Sequence, residues 1–204
     1  TNAAGETSVA GLFAVGECAH NGLNGASRLP GNTLTEAVVF GKRIGEAAAT
    51  YAKSEGPQVA VGSQVAQDDK RLAEITSGGP SSDTIGAIHR ELGELMTANV
   101  GVVRADAGLA EARDKIHSLQ QRHAALRVSN TSRIYNYALM GYIELGNLLK
   151  LAEATALAAR GRTESRGAHI RSDHPEQDDS TWKAHTVVRL QDGSPKLATR
   201  SVST

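Results

Sequence analysis

Residues 11–45 read GLFAVGECAHNGLNGASRLPGNTLTEAVVFGKRIG: a short apolar run, a glycine-rich loop carrying Arg28, and a helix with a strongly marked start. Leu12-Phe13-Ala14-Val15 is bounded by glycines and too short for a helix, which predicts a buried strand ending at Glu17. In open α/β sheets the carboxyl ends of strands are where ligands bind, and a carboxylate there can accept hydrogen bonds from a ribose diol. A solvated loop glutamate is the plainer alternative. Thr33-Leu34-Thr35-Glu36 fits a capping box, with threonine at the N-cap and glutamate three residues on, opening a helix over roughly residues 34–51. The free N–H groups and positive dipole end of such a helix favour an electron-rich ligand atom, although a capping box taken alone is more often structural. Arg28 offers a planar fork that matches a carboxylate bidentately; its alternative is a surface arginine paired with an acidic neighbour.

A length of 204 residues allows one or two domains. Basic and acidic side chains balance at 22 each, so there is no general electrostatic case for nucleic acid or an anionic membrane surface. Aromatic content is 3%, which argues against base-stacking platforms, and no nucleic-acid partner is expected. No apolar run approaches the roughly 18 residues needed to span a bilayer, and the first residues lack the pattern of a signal peptide. The single cysteine, Cys18, excludes an internal disulfide and cannot build a zinc or iron–sulfur site. It reads as a buried inert thiol, with a place in a cofactor pocket as the alternative. His117 and His123 do not share a helical face, and no metal site is expected.

Beyond the opening segment, KSEGPQVAVGSQVAQDDK (53–70) and TSGGPSS (76–82) read as a linker and a loop around one short helical piece near Lys70 to Ile75. Three amphipathic stretches follow. Ile85, Ile88, Leu92, Leu95 and Met96 mark the first, and Leu109, Ala112, Ile116, Leu119, His123 and Leu126 the second. The third runs from Arg133 to about Arg160, with Tyr135, Leu139, Tyr142, Leu149, Ala152 and Ala156 as its expected buried stripe. Helices of this kind joined by short loops make a small bundle. Residues 182–190 and 196–199, separated by a turn around Asp192-Gly193, read as a hairpin.

These segments resemble one family, the flavoprotein subunits of succinate dehydrogenase and fumarate reductase. The resemblance rests on Glu17 followed eleven residues later by Arg28, and on Gly25-Ala26-Ser27-Arg28-Leu29-Pro30-Gly31-Asn32-Thr33-Leu34. It extends to Met96-Thr97-Ala98-Asn99-Val100-Gly101-Val102-Val103-Arg104, to Ile143-Glu144-Leu145-Gly146-Asn147, and to Glu164-Ser165-Arg166-Gly167-Ala168-His169, the most specific of them. It implies FAD as cofactor, contacted by Glu17, Asn32, Thr33 and Leu34, the last two through their backbone. It implies that Arg28 binds a carboxylate of succinate or fumarate beside the flavin. No catalytic residue is assigned within this chain, because the family's proton-delivering arginine and FAD-tethering histidine lie upstream. Two departures bear on the arginine loop: Asn24 stands where many relatives have histidine, and Pro30 where glycine is usual. Arg104, Arg166 and His169 are expected to be structural, holding the bundle against the flavin domain.

The implied fold is a mixed α/β fragment: the final strand, loop and helix of an FAD-binding domain, then a three-helix bundle, then a C-terminal hairpin tail. Residues 1–52 would be the carboxyl-terminal segment of the FAD- and substrate-binding domain, 53–82 a linker, 83–160 the helical bundle and 161–204 an extension. No G-x-G-x-x-G turn is found. The chain is therefore expected to be a fragment, or one half of a split subunit, inactive without the missing N-terminal half. The resemblance further implies an iron–sulfur subunit and a membrane anchor as partners, with a cytoplasmic location, peripheral at the inner face of the plasma membrane. Two other readings stay open. L-aspartate oxidase shares the arginine loop, although the tail through Lys183-Ala184-His185-Thr186 looks more like succinate dehydrogenase or fumarate reductase. A non-catalytic helical interaction module is the other.

Overall fold

Helix α1, Asn32–Glu55, organises the first of the two units, Thr1–Val61, into which the computed structural model divides. The structure describes residues 1–55, 62–79 and 83–202. The apolar run ahead of α1 is not the buried strand that its composition predicts. Phe13 makes only an isolated antiparallel bridge with Glu6, Leu12 is 54% exposed, and Gly16–Cys18 is a 3-10 turn. A strand is stabilised by flanking strands, and a single short pairing is marginal. Here the described partner is one loop, with Thr7 N–H donating to Leu12 O and Ala14 N–H to Gly5 O, both at 3.0 Å. Cys18 is exposed rather than buried, its thiol donating to Val15 O at 3.3 Å. The run packs on α1 instead, where Phe13 meets Tyr51 edge-on at 5.8 Å between ring centres.

The second unit, Gly62–Thr204, contains α2 (Gly62–Thr76), α3 (Ile85–Asn99), α4 (Asp106–Ala125) and α5 (Tyr137–Gly161). The segment expected as a linker thus carries a 15-residue helix that begins well before Lys70. Almost all of α2 is solvated, and its glycine, serine and polar residues resemble a linker. Its one buried residue, Ile75, joins the core, and the Ile75 carbonyl accepts from Val128 N–H at 2.9 Å. Residues 56–61 and 80–82 of the expected linker lie outside the described residues.

The three predicted amphipathic helices are present, and Ile88, Leu109, Ile116, Leu145 and Leu149 are almost wholly enclosed between them. Tyr135 is an exception to the predicted stripe, being 83% exposed with φ 52°. The chain turns there before α5 starts: the Asn136 side chain caps the helix, accepting from Leu139 N–H at 3.0 Å. Two-residue strands β1 (Val103–Arg104) and β2 (Ile170–Arg171) pair in parallel. After the short helix α6 (Asp179–Trp182), β3 (Ala184–Gln191) and β4 (Ser194–Ser201) form the predicted hairpin. Its turn has φ 52° at Asp192 and 74° at Gly193, the left-handed pair that a two-residue hairpin turn demands. No helix among the described residues is long and apolar enough to cross a membrane.

Candidate functional site

The arginine loop folds back onto the start of α1 around one buried carboxylate. Gly31, at φ 86°, turns the chain into the helix, and α1 begins at Asn32, one residue before the expected N-cap. The capping box therefore does not form as the sequence suggests. Thr33 lies inside the helix and Glu36 on its second turn, buried at 4% exposure. Instead of reaching back to backbone, the Glu36 carboxylate accepts from Asn21 Nδ2 at 2.9 Å, Asn24 Nδ2 at 2.7 Å and Arg28 NH2 at 2.8 Å. A buried charge is tolerable only when paired and hydrogen-bonded, and the loop supplies those donors.

Arg28, Asn32 and Thr33 are brought together by this arrangement. Arg28 NH1 donates to Thr33 Oγ1 at 3.4 Å, and Asn32 Nδ2 to Asn24 Oδ1 at 3.4 Å. The acidic partner anticipated as the plainer reading of Arg28 exists, yet it takes only one guanidinium nitrogen. Beyond the contacts to Glu36 and Thr33, the N–H groups of Arg28 have no acceptor among the described residues, and its side chain stays 30% exposed. At the helix start, the backbone N–H groups of Thr33 and Leu34 likewise find no carbonyl among the described residues, and the Leu34 side chain is 71% exposed. Glu17 stands apart from the cluster, exposed on the 3-10 turn, with no hydrogen bond joining it to Arg28 or Glu36. Asn21 and Glu36 were not among the predicted site residues. The one local signal was Glu36 itself, read for the wrong partner.

The arginines of the second unit that carry the family resemblance, Arg104 and Arg166, are architectural. Glu164, with no exposed surface, accepts from Arg162 Nε at 2.9 Å, Arg166 Nε at 2.8 Å and NH2 at 2.9 Å, and Asp178 N–H at 2.9 Å. Arg162 continues to Ala184 O and Thr186 Oγ1, both at 2.9 Å, so Arg162 ties the end of α5 to β3 and Glu164 holds Arg162. His169 Nε2–H donates to Arg162 O at 3.1 Å while Nδ1 accepts from Arg104 NH1 at 2.7 Å, which assigns a neutral ring. Burial, with Arg104 and Arg162 nearby, holds the His169 pKa below its ordinary value. Arg104, Arg166 and His169 make these contacts inside the second unit.

Arg171, missed by sequence reasoning, is 1% exposed and caps α5, donating through NH1 to the carbonyls of Ala159, Arg160 and Arg162 at 3.0, 3.0 and 3.2 Å. Its partner Asp173 takes Nε and NH2 at 2.8 Å each and also accepts from Asp106 N–H at 2.9 Å, the first residue of α4. One ion pair thus places a cation at the end of α5 and an anion at the start of α4, each matching the helix dipole.

Comparison with known proteins agrees with this architecture. Residues 89–204, more than half of the chain, match the family model described as Fumarate reductase flavoprotein C-term, and residues 1–34 match an FAD binding domain model. The chain is 39% identical over 197 residues to the 8-methylmenaquinol:fumarate reductase flavoprotein subunit of Wolinella succinogenes, covering 94% of this chain and 31% of that protein. It is 36% identical over 193 residues to the succinate dehydrogenase flavoprotein subunit of Coxiella burnetii, covering 91% of this chain and 31% of the other. A solved structure of a variant E. coli quinol fumarate reductase matches with a TM-score of 0.92 at 37% identity, over 99% of this chain and 35% of that one. The chain therefore spans roughly a third of the length of these relatives. Adenylylsulfate reductase from Archaeoglobus fulgidus, at 17% identity and a TM-score of 0.76, shares the fold. With its larger part matched by the flavoprotein model and its helices and hairpin superposing on a solved relative, the chain belongs to the fumarate reductase and succinate dehydrogenase flavoprotein family.

Proposed function

We propose that this chain acts as the carboxyl-terminal part of an FAD-dependent oxidoreductase that interconverts succinate and fumarate and passes electrons to an iron–sulfur subunit. The observation that carries the reading is Arg28, held at the start of α1 by Glu36 and Thr33 with its other N–H groups unclaimed. A guanidinium so placed takes a substrate carboxylate through its open edge and fixes the dicarboxylate's orientation. The residues present suit a flavin beside it. The unpartnered N–H groups of Thr33 and Leu34 lie at the positive end of a 24-residue helix and would face an electron-rich ring atom. Asn32 would steady that edge through Asn24, and the exposed carboxylate of Glu17 would accept from a ribose hydroxyl. When bound, FAD supplies the hydride acceptor and donor for the central carbons of the substrate. In this reading the chain binds and orients, and no residue of it delivers the proton.

Residues 1–52 would then complete the FAD- and substrate-binding domain, with 83–160 as the helical domain and 161–204 as its extension. The family resemblance supports a peripheral position at the inner face of the plasma membrane, through iron–sulfur and membrane-anchor partners. Arg28→Lys in the assembled flavoprotein is expected to lower succinate turnover by roughly tenfold to a hundredfold while flavin absorbance is retained, because an ammonium cannot reproduce the fork. Unchanged turnover would remove Arg28 from the substrate site.

A further inference from the structure

We propose that Glu36 is a positioning residue that sets the aim of Arg28, and through it the affinity of the site for a dicarboxylate. The inference rests on Arg28 being the substrate ligand. An arginine side chain has large rotamer freedom, and a charge-assisted contact to a fixed acceptor removes much of it before a ligand arrives. Glu36 is such an acceptor. Its side chain is 2% exposed, and α1 fixes its backbone. Both of its oxygens are occupied, one by Asn21 and the other by Asn24 together with Arg28 NH2.

The asparagines are themselves committed. Asn21 Oδ1 accepts from Leu23 N–H at 2.9 Å, and Asn24 Oδ1 faces Asn32 Nδ2 at 3.4 Å. Turning over the Asn21 amide would cost the 2.9 Å bond to Leu23 N–H, and turning over Asn24 the longer contact to Asn32, which favours the carboxylate's orientation toward the arginine. One carboxylate therefore pins the loop to α1 at residues 21, 24 and 28. The NH2 group of the guanidinium is turned into the protein, and an incoming carboxylate meets the groups that remain. The contact to Thr33 Oγ1, at 3.4 Å, is too long to hold that orientation alone.

Glu36→Gln separates aim from bulk. The amide is the same size, but its nitrogen cannot accept, so either Asn21 or the Asn24–Arg28 pair is left facing a donor. The experiment uses the assembled flavoprotein and malonate, a dicarboxylate with no pair of central carbons to oxidise. Malonate Kd, succinate KM and kcat, and flavin content are measured for Glu36→Gln, Glu36→Asp, Arg28→Lys and the Glu36→Gln/Arg28→Lys double variant. Glu36→Gln is expected to raise malonate Kd and succinate KM by on the order of tenfold with flavin content kept. Glu36→Asp, which retains a carboxylate, should fall between, and Glu36→Gln should add little once Arg28 is lysine.

Wild-type malonate Kd in Glu36→Gln, or full additivity in the double variant, overturns the proposal. So does loss of flavin in both Glu36 variants, since the carboxylate would then hold the fold rather than the arginine. If Arg28→Lys itself leaves malonate Kd unchanged, the assignment of Arg28 as ligand fails, and this inference falls with it.

Discussion

At the scale of single residues, Glu164 and Glu36 show that the partners of a buried carboxylate decide what it does. Burial pushes the Glu164 carboxyl up, but Arg166, the Asp178 N–H and Arg162 outweigh it and hold the group below its ordinary value. Glu164→Ala would leave Arg162 without its carboxylate partner and Arg166 with Asp179 alone. It is expected to destabilise the second unit by roughly 3 kcal/mol, read as a lower urea midpoint. Trp182, the one tryptophan, is the reporter, because its indole N–H donates to Thr163 Oγ1 at 3.1 Å and Arg162 lies over its ring at 5.3 Å. A midpoint within error of the parent chain would mean that the α5 end is held by something else. Glu36 was legible as a special residue but not for its role. Its spacing from Thr33 fits a helix cap, whereas three side chains from the preceding loop claim its carboxylate first.

Elements add packing between neighbours. Helices α4 and α5 meet where Gly146 faces His123: a β-carbon at Gly146 would stand 2.9 Å from His123 Cε1. The ring has little room to move, since it stacks on Tyr142 at 4.2 Å and its Nε2–H donates to Tyr142 O at 2.8 Å. Gly146→Ala would gain about 1 kcal/mol in helix propensity, against roughly 1–3 kcal/mol for overpacking. The steric cost should win, lowering the Tm of the chain, and in a His123→Ala background the same substitution should raise it. A stabilising Gly146→Ala in the parent chain would show that the ring yields freely. The helices themselves were legible because an apolar residue every three or four positions is a local signal. Helix α2 was not, since it buries Ile75 alone and its composition resembles a linker.

For the molecule as a whole, the ionisable groups of the second unit give stability a defined pH dependence. The His169 pKa is depressed, chiefly by burial, so the unfolded chain takes up that proton first. Its contribution is complete above about pH 6.5 and is lost as pH falls below that. Asp173, held well below the carboxylate range by Arg171, Asp178, held at about 2 by Ser180 and Thr181, and Glu164 are depressed too. Their contributions are present above roughly pH 4 and disappear as pH falls through the folded-state values. The urea midpoint is therefore expected to be level above about pH 7, to dip as pH falls below about 6.5, and to fall steeply below about 4. A His169→Gln chain should lose the first dip and keep the second. A midpoint that rises on acidification would contradict the assigned neutral ring.

The sequence by itself determined the amphipathic helices α3, α4 and α5, the hairpin turn at Asp192-Gly193, and the resemblance carried by the loop around Arg28 and the segment from Glu164 to His169. Each of these is written within a few neighbouring residues, so periodicity and spacing suffice to read it. Only the tertiary structure decided that Leu12–Val15 forms a bridge rather than a strand, that Arg171 and Asp173 cap two helices, and that Glu36 receives Arg28. A strand exists by virtue of its neighbours, and a buried charge by virtue of donors within about 3 Å. Asp173 meets the Asp106 N–H across 67 positions of chain, a distance over which local pattern carries no information.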